Sequence, residues 1–183
     1  LENHRTRKRK KRVNRKRLFF SAIVTIAFFC AVFIMIYQFE NQITAPPQPT
    51  QYQISYNRTP MRRGKNEIKY IVIHDTANKK SGADALHHYY FFNSGNQNSS
   101  ADYFVDDKSI LKVNDFYSYY TWHCGDGNGK NGITNQNSIG VEICVNQDGN
   151  YKQAVANTVS LVKELMTELE IAPDHVVRHY DAS

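Results

Sequence analysis

Five residues of this chain stand out by type and place: His74 closing the apolar run Tyr70–Ile73, His123 in Trp122-His123-Cys124-Gly125, Glu142 between Val141 and Ile143, and His175 and His179 near the end. Taken singly, each has a plain structural reading. A histidine at a strand end ordinarily serves packing or a hydrogen bond. Glu142 needs a partner if it faces the core, because an unpaired buried charge is costly, and needs none if its strand is half exposed. Taken together, two strand-end histidines and an isolated carboxylate suit an open zinc site, in which three protein ligands leave a fourth position for a hydrolytic water. A thiol nucleophile, Cys124 beside His123, is the competing chemistry.

The elements that must position these groups are mixed. Tyr70–His74 has the β-branched composition of a buried strand, and residues 84–92 read as a helix ending near Asn93 and Gly95. Tyr103–Val105 and Ile110–Val113 flank a turn at residues 106–109 and make a hairpin. Four glycines in the stretch 125–132 make it a loop, and Ile139–Val145 is a further strand. Residues 152–170 carry Val155, Val159, Val162, Leu165, Met166 and Leu169 at three- and four-residue spacing, the apolar stripe of a helix that Pro173 is expected to stop. His87 and His88 read as surface or partly packed groups and Tyr89–Phe92 as packing. Cys124 and Cys144 are able to lie near each other, and the reading is of free buried thiols.

Charge and hydropathy divide the chain. Its 183 residues carry a formal net charge of +6, but residues 1–17 hold ten Lys/Arg and one Glu, so the remainder has 13 basic and 16 acidic groups. A mildly acidic body does not track a phosphate backbone, which excludes nucleic acid as a partner. From Leu18 to Phe39 the sequence is uncharged over 22 residues, about 33 Å of helix and enough to cross a bilayer core. Tyr37-Gln38-Phe39-Glu40 offers no small-residue cleavage site, so a transmembrane helix is the expectation over a signal peptide. The basic run before it predicts a cytoplasmic N-terminus with the rest outside. The expected organisation is a basic tail at 1–17, a transmembrane helix at 18–39, an extracellular linker and lead-in at 40–67 marked by Pro46, Pro47 and Pro49, and a domain over 68–183.

Five blocks, YIVIHDTAN (70–78), SSADYFVDD (99–107), WHCGDG (122–127), NSIGVEICVN (137–146) and VVRHYDAS (176–183), occur in an order that resembles the zinc-dependent N-acetylmuramoyl-L-alanine amidases of the amidase-2 type, which are related to phage lysozyme-like amidases and peptidoglycan recognition proteins. The resemblance covers about residues 52–183. It implies an α/β fold with a mixed central sheet flanked by helices, here preceded by the membrane helix. It makes His74 and His179 ligands of Zn²⁺, Glu142 the residue that activates water, and His123 a residue lining the substrate cleft. It departs from some relatives at Ala101-Asp102, where they carry a Tyr-His pair with a catalytic Tyr, and this shifts the chemistry onto Glu142. The family's third ligand, a Cys or Asp, falls a few residues past the second His and so beyond Ser183, with Asp181 too close to His179 to replace it; the domain is expected to be C-terminally truncated. The implied activity is hydrolysis of the amide between N-acetylmuramic acid and L-alanine of peptidoglycan, with a non-catalytic peptidoglycan-binding sensor as the alternative.

Overall fold

A computed structural model describes residues 15–40, 43–125 and 129–183 and divides into two units, residues 1–42 and 43–183. The basic run before Arg15 and positions 126–128 of the glycine-rich loop lie outside the described residues. The described residues of the first unit form the helix α1 (Arg15–Glu40). Its stretch Phe19–Gln38 is long and apolar enough to cross a membrane, and its large side chains are exposed around the helix.

In the second unit the strands are β1 (Thr50–Gln51), β2 (Arg58–Pro60), β3 (Tyr70–Asp75), β4 (Tyr103–Val105), β5 (Ile110–Lys112), β6 (Tyr119–Thr121), β7 (Ser138–Ile143) and β8 (Val176–Arg178). Six form a mixed sheet in the order β1-β5-β4-β7-β3-β8, antiparallel only at the β4–β5 hairpin. Strands β2 and β6 pair separately. Helices α2 (Ala85–Phe92), α3 (Tyr151–Leu169) and the short α4 (His179–Ala182) complete the unit. The expected α/β architecture is the observed one.

The period of two in the strands sorts the side chains onto two faces. Ile71, Ile139, Val141, Tyr103 and Val105 pack with Leu161, Leu165 and Leu169 of α3, which buries the apolar stripe read from the sequence. The alternate set, Val72, His74, Gly140, Glu142 and Phe104, faces the other way, where Phe104 packs with Ala85 of α2. Asn150 caps α3 by accepting the Gln153 N–H. The helix ends earlier than Pro173 requires: Glu170 takes a left-handed conformation (φ 56°), and the Glu170 and Ile171 amides both turn back to the Met166 carbonyl. Asp84 caps α2 through the His87 amide and Asn93 closes it. The lead-in is built into this unit. Ile54 is wholly buried, β1 lengthens the sheet, and the buried Arg63 donates to the carbonyls of Phe116, Tyr119, Asn135, Gln136 and Ser138.

Candidate functional site

Parallel pairing of β3 and β7 sets His74 directly opposite Glu142, so their side chains leave the same face on neighbouring strands. His179 begins α4 just after β8, on the other side of β3, and its ring centroid lies 4.9 Å from that of His74. His123 comes from the segment after β6, and its ring meets that of His74 edge-on at 5.4 Å. Thus His74, His123, Glu142 and His179 gather on one face. His175 does not join them: it packs on Tyr70 at the opposite end of β3 and donates from Nδ1 to the Lys69 carbonyl. Asp181 is also elsewhere engaged, since both its oxygens accept from the Arg178 guanidinium at 3.0 Å.

His123 is only 5% exposed, with its ring edge-on to that of His74. Its hydrogen bonds determine a proton order. Ser138 Oγ donates to the Thr134 carbonyl, which leaves that oxygen to accept from His123 Nε2 at 3.3 Å. His123 Nδ1 is then an acceptor, and His74 Nε2, 3.3 Å away, donates to it. The lone pair of His74 is left on Nδ1. Cys124 Sγ lies 3.5 Å from the same His123 nitrogen and from Ser138 Oγ, and burial pushes its thiol up, which argues against a thiolate nucleophile. Cys124 and Cys144 are both free and buried, as expected.

The backbone under this chain of bonds is shaped for it. The position of a Cβ at Gly140 would lie 2.7 Å from His123 Cγ, so the imidazole occupies the space a side chain would fill. Asp102, wholly buried, accepts from the Gly140 amide (2.9 Å), Thr121 Oγ1 (2.7 Å) and Asn114 Nδ2 (2.7 Å), tying β7 to β6. Asn135 Oδ1 accepts the amides of His123 and Cys124.

Electrostatics follows burial. His74 is held neutral, its pKa pulled down to about 2 by burial and then by His123 and His179. His123 is pulled down to about 3 by burial and by Arg63. Glu142 goes the other way, pushed up to about 8 by burial and by the neighbouring Asp75, and its Oε2 is buried without a hydrogen-bond partner. Neutral imidazoles are the nitrogen donors that zinc takes, so His74 fits that ion chemically, with the His179 ring beside it. Among the described residues no group of three or more His, Cys, Asp or Glu is arranged to hold a metal.

Residues 64–183 match the family model described as N-acetylmuramoyl-L-alanine amidase. The chain is a member of the Amidase_2 family. It is 41% identical over 110 residues to the amidase CwlH of Bacillus subtilis, a match covering 60% of this chain and 43% of CwlH. To the amidase XlyA of the same organism it is 42% identical over 113 residues, 60% of this chain and 36% of XlyA. The solved catalytic domain of XlyA superposes with a TM-score of 0.67 at 36% identity, over 75% of this chain and 87% of that domain. The chain thus spans less than half the length of these curated relatives. Amidases of the Amidase_2 family are generally zinc-dependent.

Sequence reasoning did not single out Ser138, Gly140 or Arg63, and it marked Asp102 only as a departure from the pattern of some relatives. Their types carry no catalytic signal, and their bearing on the site exists only once β6, β7 and the segment 133–138 are brought together.

Proposed function

We propose that this Amidase_2 chain hydrolyses the amide between the lactyl group of N-acetylmuramic acid and L-alanine of peptidoglycan. The observation that carries the reading is the pairing of His74 with Glu142 across β3 and β7, with His179 at 4.9 Å from His74 on the same face. His74 and His179 would hold Zn²⁺, which when bound polarises the scissile carbonyl and makes water acidic near neutral pH. His123 and Ser138 orient His74 so that its unprotonated nitrogen is available, the second-layer support such ligands ordinarily receive. Glu142 accepts a proton from the attacking water and returns it to the departing amine. A carboxylate pushed up to about 8 has the basicity that proton transfer near neutral pH favours. The helix Phe19–Gln38 anchors the chain in the cell membrane, with the basic N-terminus cytoplasmic and the amidase unit facing the wall.

The test is release of L-alanine amino termini from purified cell wall, run beside pull-down on the same wall. Glu142→Gln is expected to keep zinc and wall binding while lowering turnover roughly 10²- to 10⁴-fold. His74→Ala should lose zinc and turnover together. Undiminished turnover in Glu142→Gln refutes its role, and wall binding with no turnover in the unaltered chain converts the reading to a peptidoglycan-binding sensor.

A further inference from the structure

The glycine-rich stretch 125–132 has no part in the proposed reaction, yet it touches the short helix that carries a candidate ligand. His74 is half-buried and His123 buried, and hydrogen bonds hold both rings. His179 is exposed, with its ring 4.9 Å from that of His74. The place of an exposed side chain is set by its backbone. Here that backbone is α4, a single turn of four residues, too short to be stable through its own hydrogen bonds.

Two kinds of contact fasten α4 to the unit. Ala182 is buried with Val72, Cys124 and Ile133. The polar contacts come from the loop. The His179 carbonyl accepts the Ser183 amide, but the last carbonyls of a helix find no partner inside it. Lys130 Nζ donates to the Tyr180 carbonyl at 2.6 Å and to the Ser183 carbonyl at 3.2 Å, and lies 4.2 Å from the centroid of the Tyr180 ring. Asn131 Nδ2 donates to the Asp181 carbonyl at 3.0 Å. A cation on the end carbonyls has the favourable sign for a helix C-terminus. The Arg178–Asp181 pair, by contrast, joins residues three apart and stiffens the turn without fastening it to the sheet. The loop is itself firm: the Gly132 amide returns to the Gly129 carbonyl, the Ile133 amide to the Lys130 carbonyl, and Asn137, at the start of β7, donates to the Gly132 carbonyl.

We propose that Lys130 and Asn131 are positioning residues for His179: residues 129–132 form a strap that holds α4 where its histidine stays beside His74. The proposal rests on the amidase reading for the role of His179 as a zinc ligand. Because the strap follows His123 and Cys124 along the chain, one segment serves both candidate ligands, with His123 bonded to His74 and Lys130 holding the helix of His179.

The full chain in detergent micelles is tested for zinc affinity by chelator competition, for the place of His179 by the nuclear Overhauser contact between its ring and that of His74, and for stability by urea unfolding. Lys130→Met keeps an apolar stem over Tyr180 and deletes the ammonium. It should lower zinc affinity about tenfold, the lower end of what residues that orient ligands contribute, and weaken the ring contact in the zinc-free chain. The urea midpoint should stay where it is, since the side chain is exposed. Lys130→Arg keeps a cation and donors and should restore most of both losses. Asn131→Gly deletes the amide at a left-handed position (φ 55°) that glycine adopts freely; it should cost less alone and add to Lys130→Met. Unchanged zinc affinity and ring contact in Lys130→Met overturn the proposal. So does a loss that runs with a falling urea midpoint and that Lys130→Arg does not repair, which assigns Lys130 to stability alone. If the unaltered chain takes up no zinc, the ligand reading fails and the strap is decided in the zinc-free chain: a ring contact weakened by Lys130→Met upholds it, and one left intact overturns it.

Discussion

Replacing Gly140 by alanine should damage the site without touching a candidate ligand. The added Cβ would sit 2.7 Å from His123 Cγ and 3.0 Å from both His123 Cβ and Cδ2. Neither side can retreat easily. Gly140 is pinned by its N–H to Asp102 Oδ2 and by the Asp102 N–H to its carbonyl, each 2.9 Å. The imidazole is held by His74, Ser138 and its own backbone bonds to Asn135. Overpacking a tight core costs about 1–3 kcal/mol, and a hydrogen bond lost as the ring shifts adds about 0.5–1.5 kcal/mol. The expected destabilisation is therefore about 2–4 kcal/mol, read by urea unfolding through the fluorescence of Trp122, the only tryptophan and the residue next to His123. Because His123 orients His74, zinc affinity by chelator competition should also fall, by roughly 10- to 100-fold. His123→Ala removes the Cγ and Cδ2 contacts, so in that background the cost of Gly140→Ala should drop by more than half. Strictly additive effects of the two substitutions, or a loss under about 0.5 kcal/mol with unaltered zinc affinity, would refute this account of how His123 is held.

Further outcomes follow from burial and charge. In the zinc-free chain, stability should peak near pH 6.5. Below it the unfolded state protonates histidines that the fold keeps neutral at His74, His88 and His123 (about 2, 4 and 3), so stability is lost as the pH falls. Glu142, pushed from 4.5 up to about 8, keeps its proton in the fold while the unfolded chain has released it, so its contribution declines from about pH 4.5 to 8 and dominates above 6.5, where the histidine effect is spent. Asp102, also raised by burial, acts in the same sense as Glu142. Urea midpoints across pH 4.5–8.5 test this: Glu142→Gln should flatten the alkaline limb, and a profile with no acid limb contradicts the burial of the three rings. For topology, protease added to intact cells should remove the segment after Glu40 while an N-terminal tag stays protected, and a protected amidase unit would sink the outward orientation.

What was legible in the sequence was local. Tyr70–His74 declared a buried strand by its β-branched run, residues 152–170 a helix by its stripe (observed as Tyr151–Leu169), and Asp84 and Asn93 the ends of α2, because each signal lies within a few residues of what it specifies. The expected end of α3 at residue 170 is within one residue of the observed one, but the device that ends it is a left-handed Glu170 rather than Pro173, and glutamate carries no strong signal for that conformation. The chemistry of Glu142 was open in the sequence, as inward and outward placements were equally compatible with Val-Glu-Ile. Pairing resolves it: a parallel register that sets Ile73 against Val141 on the α3 face necessarily sets His74 against Glu142 on the other.

The same logic explains why the setting of His123 was out of reach. Its tautomer depends on Ser138, fifteen residues on; its space depends on the absence of a side chain at Gly140; and both strands are tied together through Asp102, which local reading saw only as a departure from a Tyr-His pattern. A carboxylate at that position, accepting from Thr121 and the Gly140 amide, fixes the distance between β6 and β7 and so the slot into which the imidazole fits. The residue that departs from some relatives thus has a job that the resemblance did not assign: it sets the separation of β6, whose following segment carries His123, from β7, which carries Glu142.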